Sequence, residues 1–430
     1  MPPKGKKHGC QTAPLDILCS FPENVIDGIL MRLPLREAVR TSILSQKWRY
    51  KWCRLPELTL DLKNLISTKD SVPPTFKFTN IIYHLLTHHT GPITKFALSF
   101  NSDLMPCPTI DNLIYFLSRN GIQHLDLKLS GRGDLYKLPS SFFTCFQLRY
   151  LTLQNCLMLP PPACKGFELL ISLELRSVTI SPKFLERLIS CSQLLERLVL
   201  DIVGLSGIIE INAPMLRSFN FTGEISSISL KYTPLLTQLS LADTEDYEGL
   251  RECDIAKFFE SLSALEHLQL NQDSLRFLAA GAGELPKRLP FNLNCVKRLR
   301  LANIYLGGSD VVSCALCLIR SFPYLQYLEI EVGDEDAGIP ALEYLEVEAF
   351  SDMTFNHLRE VKLIYTIGSE PEMQLIKLLL AKSPILVKML IEPCLEVNDD
   401  AYKTVSISRK LNSFQRASPE VEIDYNCYYD

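Results

Sequence analysis

The sequence predicts an α/β chain in which a short N-terminal helical module leads into an irregular solenoid of strand-and-return units, closed by a C-terminal α/β cap. Three observations carry this. Apolar residues recur at three- and four-residue spacing between residues 25 and 53, a leucine phrase returns every 20 to 31 residues from about residue 93, and two further strand-helix units follow residue 350. Leucine supplies 73 of the 430 residues and 47% of the chain is hydrophobic, which excludes a disordered or collagen-like polymer. No apolar run approaches the ~18 residues a bilayer span requires.

The module occupies residues 12–61. Val25, Ile26, Ile29, Leu30 and Leu33 form one apolar stripe of a helix that Pro34 ends. Leu35 to Ile43 reads as a second short helix, and Ser45 as the cap of a third over Gln46 to Cys53, with Trp48 and Trp52, the chain's only tryptophans, on one face. Three helices in so few residues carry more aliphatic surface than they can hide, so the excess should be covered by a partner or by the protein's own repeats. Residues 1–61 carry a net charge of +4 and the remainder −9, so the module is basic and the body acidic.

The run Pro22-Glu23, Ile29-Leu30, Leu33-Pro34-Leu35-Arg36, Ala38-Val39-Arg40-Thr41-Ser42, Leu44-Ser45 and Trp48-Arg49-x-x-Trp52 resembles the F-box of plant F-box proteins. Phe21 stands where that family usually has Leu, and Lys51 where an apolar residue is common. The resemblance implies docking to the SKP-type adaptor of an SCF cullin-RING ubiquitin ligase. Carried over by position, it implies Pro22, Ile26, Ile29, Leu30, Leu33, Pro34, Leu44, Trp48 and Trp52 as adaptor contacts. The adaptor family is acidic, in keeping with the module's +4.

Through residues 62–345 the chain reuses an apolar-x-apolar pair preceded three residues earlier by another apolar residue, as in Leu148-x-x-Leu151-x-Leu153-x-x-Cys156 and Leu265-x-x-Leu268-x-Leu270. The first members of the pairs fall at 96, 125, 151, 173, 198, 219, 239, 268, 299 and 328. Those steps match leucine-rich repeats, in which a period-two strand points both members into a core that only a stacked neighbour can close. Between 209 and 241 the returns are too short for a helix and should be extended chain.

Residues between and beside the inward pairs should form a polar recognition face. Interface energy concentrates in Tyr and Arg, which singles out Tyr150, Arg176, Arg197, Arg298, Arg300 and Tyr327 as substrate-binding candidates.

In residues 350–427, Phe355 to Leu363 reads as a strand, Ser369-x-x-Glu372 as a capping box before a helix from Met373 to Lys382, Ile385 to Ile391 as a strand, Asp400 to Leu411 as a helix and Glu420 to Tyr425 as a last strand. This stretch resembles the FBD domain of plant F-box proteins through Phe355, Leu358, Val361, Leu363, Gly368, Leu378-Leu379-Leu380, Ser383-Pro384, Lys388-Met389 and Arg416-Ala417-Ser418. Capping the solenoid is the expected role.

Chemistry is sparse. The seven histidines sit beside no recognised nucleophile, zinc or phosphate-loop signature, so no catalytic residue is expected. The Cys314-x-x-Cys317 pair lacks a second pair of ligands, and His84 and His88 lack an acidic third; no metal or cofactor is expected. Fourteen cysteines in a long chain whose opening Met1-Pro-Pro-Lys4 lacks the apolar stretch of a secretory signal read as reduced core thiols of an intracellular protein, in the nucleus or cytoplasm. The expectation is a non-catalytic substrate receptor of a ubiquitin ligase. The alternative is a repeat protein that binds the adaptor or a partner without directing ubiquitination.

Overall fold

The computed structural model describes residues 21–61, 74–100, 107–129, 135–162, 164, 166–202, 204, 207–244, 253–280, 285–333, 353–394 and 401–425. The chain divides into two compact units, Met1–Asn155 and Cys156–Asp430. It is built of helices and parallel strands throughout.

The first unit starts with α1 (Glu23–Leu30) and α2 (Leu35–Arg40), each entered from a proline, Pro22 and Pro34, whose fixed φ suits the approach to a helix. Ile26 and Leu30 bury one face of α1, and Ala38 that of α2. The expected third helix over Gln46 to Cys53 is replaced by turns and a 3₁₀ segment, Lys51–Arg54. Its backbone bonds run to the third residue back, as in Trp48 N–H to Ser45 O and Lys51 N–H to Trp48 O. The Ser45 hydroxyl is buried without a hydrogen-bond partner, so the cap that would have started an α-helix is not made. Packing of Trp48, which is 2% exposed, decides this segment over helix propensity.

Strands β1 (Glu57–Asp61), β2 (Lys95–Ser99), β3 (His124–Lys128) and β5 (Tyr150–Gln154) pair in parallel and in order. Helix α3 (Pro74–His88) joins β1 to β2, and α4 (Cys107–Arg119) joins β2 to β3; the two-residue strand β4 (Tyr136–Lys137) precedes β5. The inward rows Leu58, Phe96, Leu125, Leu151 and Leu60, Leu98, Leu127, Leu153 are buried and in register. The sheet therefore begins one strand earlier than the sequence phrase was counted, inside the span read as the helical module. His89 Nε2 bonds to Leu55 O at 2.9 Å and Thr90 N–H to Cys53 O at 2.9 Å, so the module is tied to its own first repeats.

In the second unit β7 (Ser172–Arg176), β9 (Arg197–Asp201), β11 (Ser218–Thr222), β13 (Gln238–Ala242), β14 (His267–Asn271), β15 (Arg298–Ile304), β16 (Tyr327–Val332), β17 (Glu360–Thr366), β18 (Lys388–Pro393) and β19 (Glu422–Tyr425) form a parallel sheet in chain order. Every leucine-phrase pair expected from 173 to 328 lies on one of these strands and is buried.

Returns vary with the step length. Behind β7, β6 (Cys156–Met158) pairs with β8 (Thr179–Ile180), and α5 (Pro182–Cys191) buries Phe184, Leu185, Leu188 and Ile189 along one face. The two shortest repeats return through β10 (Ile209–Asn212) and β12 (Ile228–Tyr232), which pair with each other, as their lengths require. Helices α6 (Ile255–Glu260) and α7 (Gln272–Ala279) are N-capped by Asp254 and Asn271, whose side chains accept from Lys257 N–H and Ser274 N–H. Helix α8 (Ser309–Arg320) is buried nearly all round, including Cys314 and Cys317, as its apolar circumference demands.

Helices α9 (Glu370–Lys382) and α10 (Ala401–Ser413) connect the last three strands. The capping box before α9 is half formed. Buried Glu372 reaches back to accept Ile367 N–H at 3.1 Å and Gly368 N–H at 2.8 Å, while the Ser369 hydroxyl donates to Glu372 at 2.9 Å instead of capping backbone.

A second regularity underlies the repeats. Asn155, Ser177, Asn303 and Tyr365 have φ of 58°, 50°, 54° and 60°, and Gly223 has φ 148°. Each stands four residues after the first inward member of its pair: Asn155, Ser177 and Gly223 just past the strand end, Asn303 and Tyr365 inside β15 and β17 where the register shifts. Asn155 suits this best, because its side chain donates to Leu129 O in the preceding turn at 2.7 Å.

Candidate functional site

The expected site residues fall on the N-terminal module and on the sheet strands, with Tyr150 in the first unit and the other five sheet residues in the second. In the N-terminal module, Ile26, Leu30 and Trp48 form the core with Ala38, Cys53 and Leu55, and present no surface to a partner in this conformation. Ile29, Leu33 and Trp52 are half-buried, while Pro22, Pro34 and Leu44 are exposed. Beyond these, Ile43 is 87% exposed, Tyr50 62% and Met31 60%, and Val25 and Val39 are also open. Sequence reasoning passed over Met31, Ile43 and Tyr50 because helical spacing identifies a stripe but does not say which apolar residues a 40-residue module has room to bury.

Exposed Arg32, Arg36, Arg49 and Arg54 stand among these apolar side chains. Lys51, the departure from the F-box pattern, bonds Glu23 Oε1 at 2.6 Å and holds the Glu23 carboxyl below its usual range. Its ammonium thereby ties the 3₁₀ segment to α1. A groove of about 980 Å³ runs between α2, β1 and α3, lined by Leu35, Val39, Trp52, Leu60, Ile81 and Leu85. An apolar patch with a cationic border fits an apolar partner surface with acidic surroundings.

Of the six sheet residues, Tyr150 lies in the first unit, exposed, its ring 5.2 Å from that of His124. Burial and the neighbouring Lys95 hold His124 below the usual imidazole range. In the second unit Arg176 is half-buried, paired to Glu174 at 2.6 Å, and Arg197 is exposed.

The structure brings Arg298, Arg300 and Tyr327 together. The Arg298 guanidinium sits 5.4 Å from the Tyr327 ring centroid, the Tyr327 hydroxyl donates to Glu329 at 2.6 Å, and Arg300 pairs with Glu329 at 3.0 Å and Glu331 at 3.5 Å. Burial, then the Glu329 carboxylate, raises the Tyr327 hydroxyl well above its usual range, so it remains a donor. Arg298, Arg300, Tyr327 and Glu329 border a depression of about 390 Å³ that also takes in Ser218, Asn220, Gln238, Ser240, His267 and Gln269. Ser218, Gln238 and Ser240 were missed, although they flank the pairs at 219 and 239 as surely as Arg298 flanks 299. The surface offers hydrogen bonds and charge over a parallel sheet, which suits recognition.

An F-box domain family model matches residues 18–60, and the model described as FBD-associated F-box protein At5g56370, LRR repeats, matches residues 110–330. The Arabidopsis thaliana F-box/FBD/LRR-repeat protein At1g13570 is 32% identical over 420 residues, covering 95% of this chain and 98% of that protein. F-box/FBD/LRR-repeat protein At2g26030 is 22% identical over 95% and 98% of the two chains, and F-box/LRR-repeat protein At4g14103 is 27% identical over 53% and 62%, both from the same plant.

Proposed function

The chain belongs to the plant F-box/FBD/LRR-repeat family, and from that premise we propose that it is the substrate-recognition subunit of an SCF-type cullin-RING ubiquitin ligase. F-box and LRR proteins generally act in SCF ligases as non-catalytic subunits, and an F-box implies an SKP-type adaptor as partner. The observation that carries the reading is the exposed apolar patch of Val25, Met31, Val39, Ile43, Leu44 and Tyr50 inside an F-box match, bordered by exposed arginines. A module that keeps this much apolar side chain in water is built to be covered.

On this reading residues 12–61 dock the adaptor, the repeats of 62–345 hold a protein target on the polar sheet face, and residues 350–427 act as an FBD-type cap that closes the last repeat. The work is positional: the chain performs no bond chemistry and holds the target near a ubiquitin-charged enzyme recruited through the cullin, in the nucleus or cytoplasm. The test is co-purification of adaptor and cullin with the full chain from plant cells, coupled to target half-life. Loss of both on disrupting the patch supports the proposal. A target that binds the sheet face yet keeps its half-life when the module is deleted favours a non-degradative binding protein.

A further inference from the structure

Outward side chains of the second unit's sheet stand in rows fixed by strand register. One row runs Arg197, Ser218, Gln238, His267, Arg298, Tyr327, and the next Val199, Asn220, Ser240, Gln269, Arg300, Glu329. From β11 to β14 these rows hold only hydroxyls, amides and one imidazole, all facing the 390 Å³ depression. Full charges enter it on β15 and β16.

Those charges are not equivalent. Arg300 is occupied by Glu329 and Glu331, and Glu329 also accepts the Tyr327 hydroxyl. Arg298 has no carboxylate partner among the described residues; its guanidinium is held over the Tyr327 ring. His267, its cross-strand neighbour, is held below the usual imidazole range by burial and by Arg298 itself, so it contributes no second cation near neutral pH. The depression therefore carries one guanidinium with no carboxylate partner among the described residues, a planar fork held over an aromatic ring, beside a floor of uncharged hydrogen-bonding groups.

We propose that this depression selects a protein target through an aspartate or glutamate side chain, whose carboxylate Arg298 receives, while the adjoining backbone of an extended target segment bonds to Gln238, Gln269 and Asn220. This deepens, and rests on, the reading of the sheet face as the target surface. A carboxylate is favoured over a phosphoryl group because a single charge matches a single charge, and the nearby Glu329 would oppose a dianion.

The test uses the full chain bound to an SKP-type adaptor and nonapeptide pools whose central residue is fixed as Asp/Glu, Asn/Gln or phosphoserine, read by fluorescence anisotropy. Asp/Glu pools bind about tenfold more tightly than Asn/Gln pools. Arg298→Gln abolishes that preference and Arg298→Glu reverses it in favour of the Asn/Gln pools, while adaptor binding is unchanged. Arg187→Gln, which removes another exposed arginine lying over the Phe184 ring of α5, leaves the preference intact. The proposal is overturned if Asn/Gln pools bind as well as Asp/Glu pools, if the preference survives Arg298→Gln, or if phosphoserine pools bind tightest. Pools with every position randomised separate the two levels of inference. Enrichment of non-acidic peptides that is lost on filling the depression with Ser240→Arg refutes the carboxylate and keeps the sheet face as the target surface. Enrichment untouched by Ser240→Arg refutes both.

Discussion

Three buried serines follow directly on helices of the second unit, Ser192 after α5, Ser321 after α8 and Ser383 after α9, and their different bonds make a graded experiment. The Ser321 hydroxyl donates to Cys317 O at 2.7 Å and accepts Leu289 N–H at 2.9 Å, while Ser321 O accepts Leu293 N–H at 3.0 Å. It thus pins the segment from Leu289 to Leu293, ahead of β15, onto the C-terminal end of α8. Ser321→Ala removes two hydrogen bonds of about 1 kcal/mol each and leaves a buried amide unsatisfied, for a loss of about 2 kcal/mol or more. Ser192 only donates, to Leu188 O at 2.7 Å and Phe167 O at 2.9 Å. Those carbonyls keep other options, so Ser192→Ala costs about 1 kcal/mol. The Ser383 hydroxyl is equally buried and has no partner, so Ser383→Ala leaves stability unchanged or raises it by up to about 1 kcal/mol. Urea unfolding followed by circular dichroism on the three variants measures the order. Equal losses at 321 and 383 would refute the claim that these hydroxyls act through their bonds and would leave packing as the cause.

Two further outcomes follow from the same core. At Gly223, φ is 148° and a Cβ would collide with the Ile202 carbonyl oxygen, so Gly223→Ala lowers unfolding free energy by upwards of about 2 kcal/mol in the same assay; a loss below about 0.5 kcal/mol would contradict the strain. Burial pushes the thiols of Cys145, Cys253 and Cys317 from 9.0 up to about 12, 11 and 11, and also holds Cys314 well above 9.0. The unfolded chain releases these protons above pH 9 while the folded chain keeps them, so their contribution is fully present below pH 9 and falls as pH rises toward 11 to 12. Replacing Cys314 and Cys317 by Ala should flatten the decline of the urea midpoint with pH over that window, and an unchanged slope would refute the assignment.

The repeat register was legible because both members of each pair share one buried face, and a one-residue slip would turn them all to solvent. Leu55-x-x-Leu58-x-Leu60 carries the same phrase and could have given β1, but the adjoining helical stripe drew those residues into the module. The positive-φ position four residues into each phrase was not legible, because Asn155, Ser177, Asn303, Tyr365 and Gly223 share a backbone region and not a side-chain type. The segment Gln46 to Cys53 misled for a related reason: helical spacing was present, but burying Trp48 fixed a tighter winding. On the sheet face, Arg298 and Tyr327 could be named from their positions beside buried leucines. Which arginine is left without a carboxylate partner depends on carboxylates one strand over, and so on the register between repeats.

The central claim is that the N-terminal module exists to be covered by an SKP-type adaptor. Biolayer interferometry of the purified full chain against that adaptor tests it, comparing wild type with Ile43→Asp/Leu44→Asp and with Ile208→Asp, which alters an apolar side chain 66% exposed in the second unit. The account predicts binding by wild type and Ile208→Asp, and a loss of about a hundredfold for the double variant, the equivalent of two interface side chains at about 1.4 kcal/mol each. Binding by the double variant at wild-type strength, or no binding by a folded wild type, would contradict it.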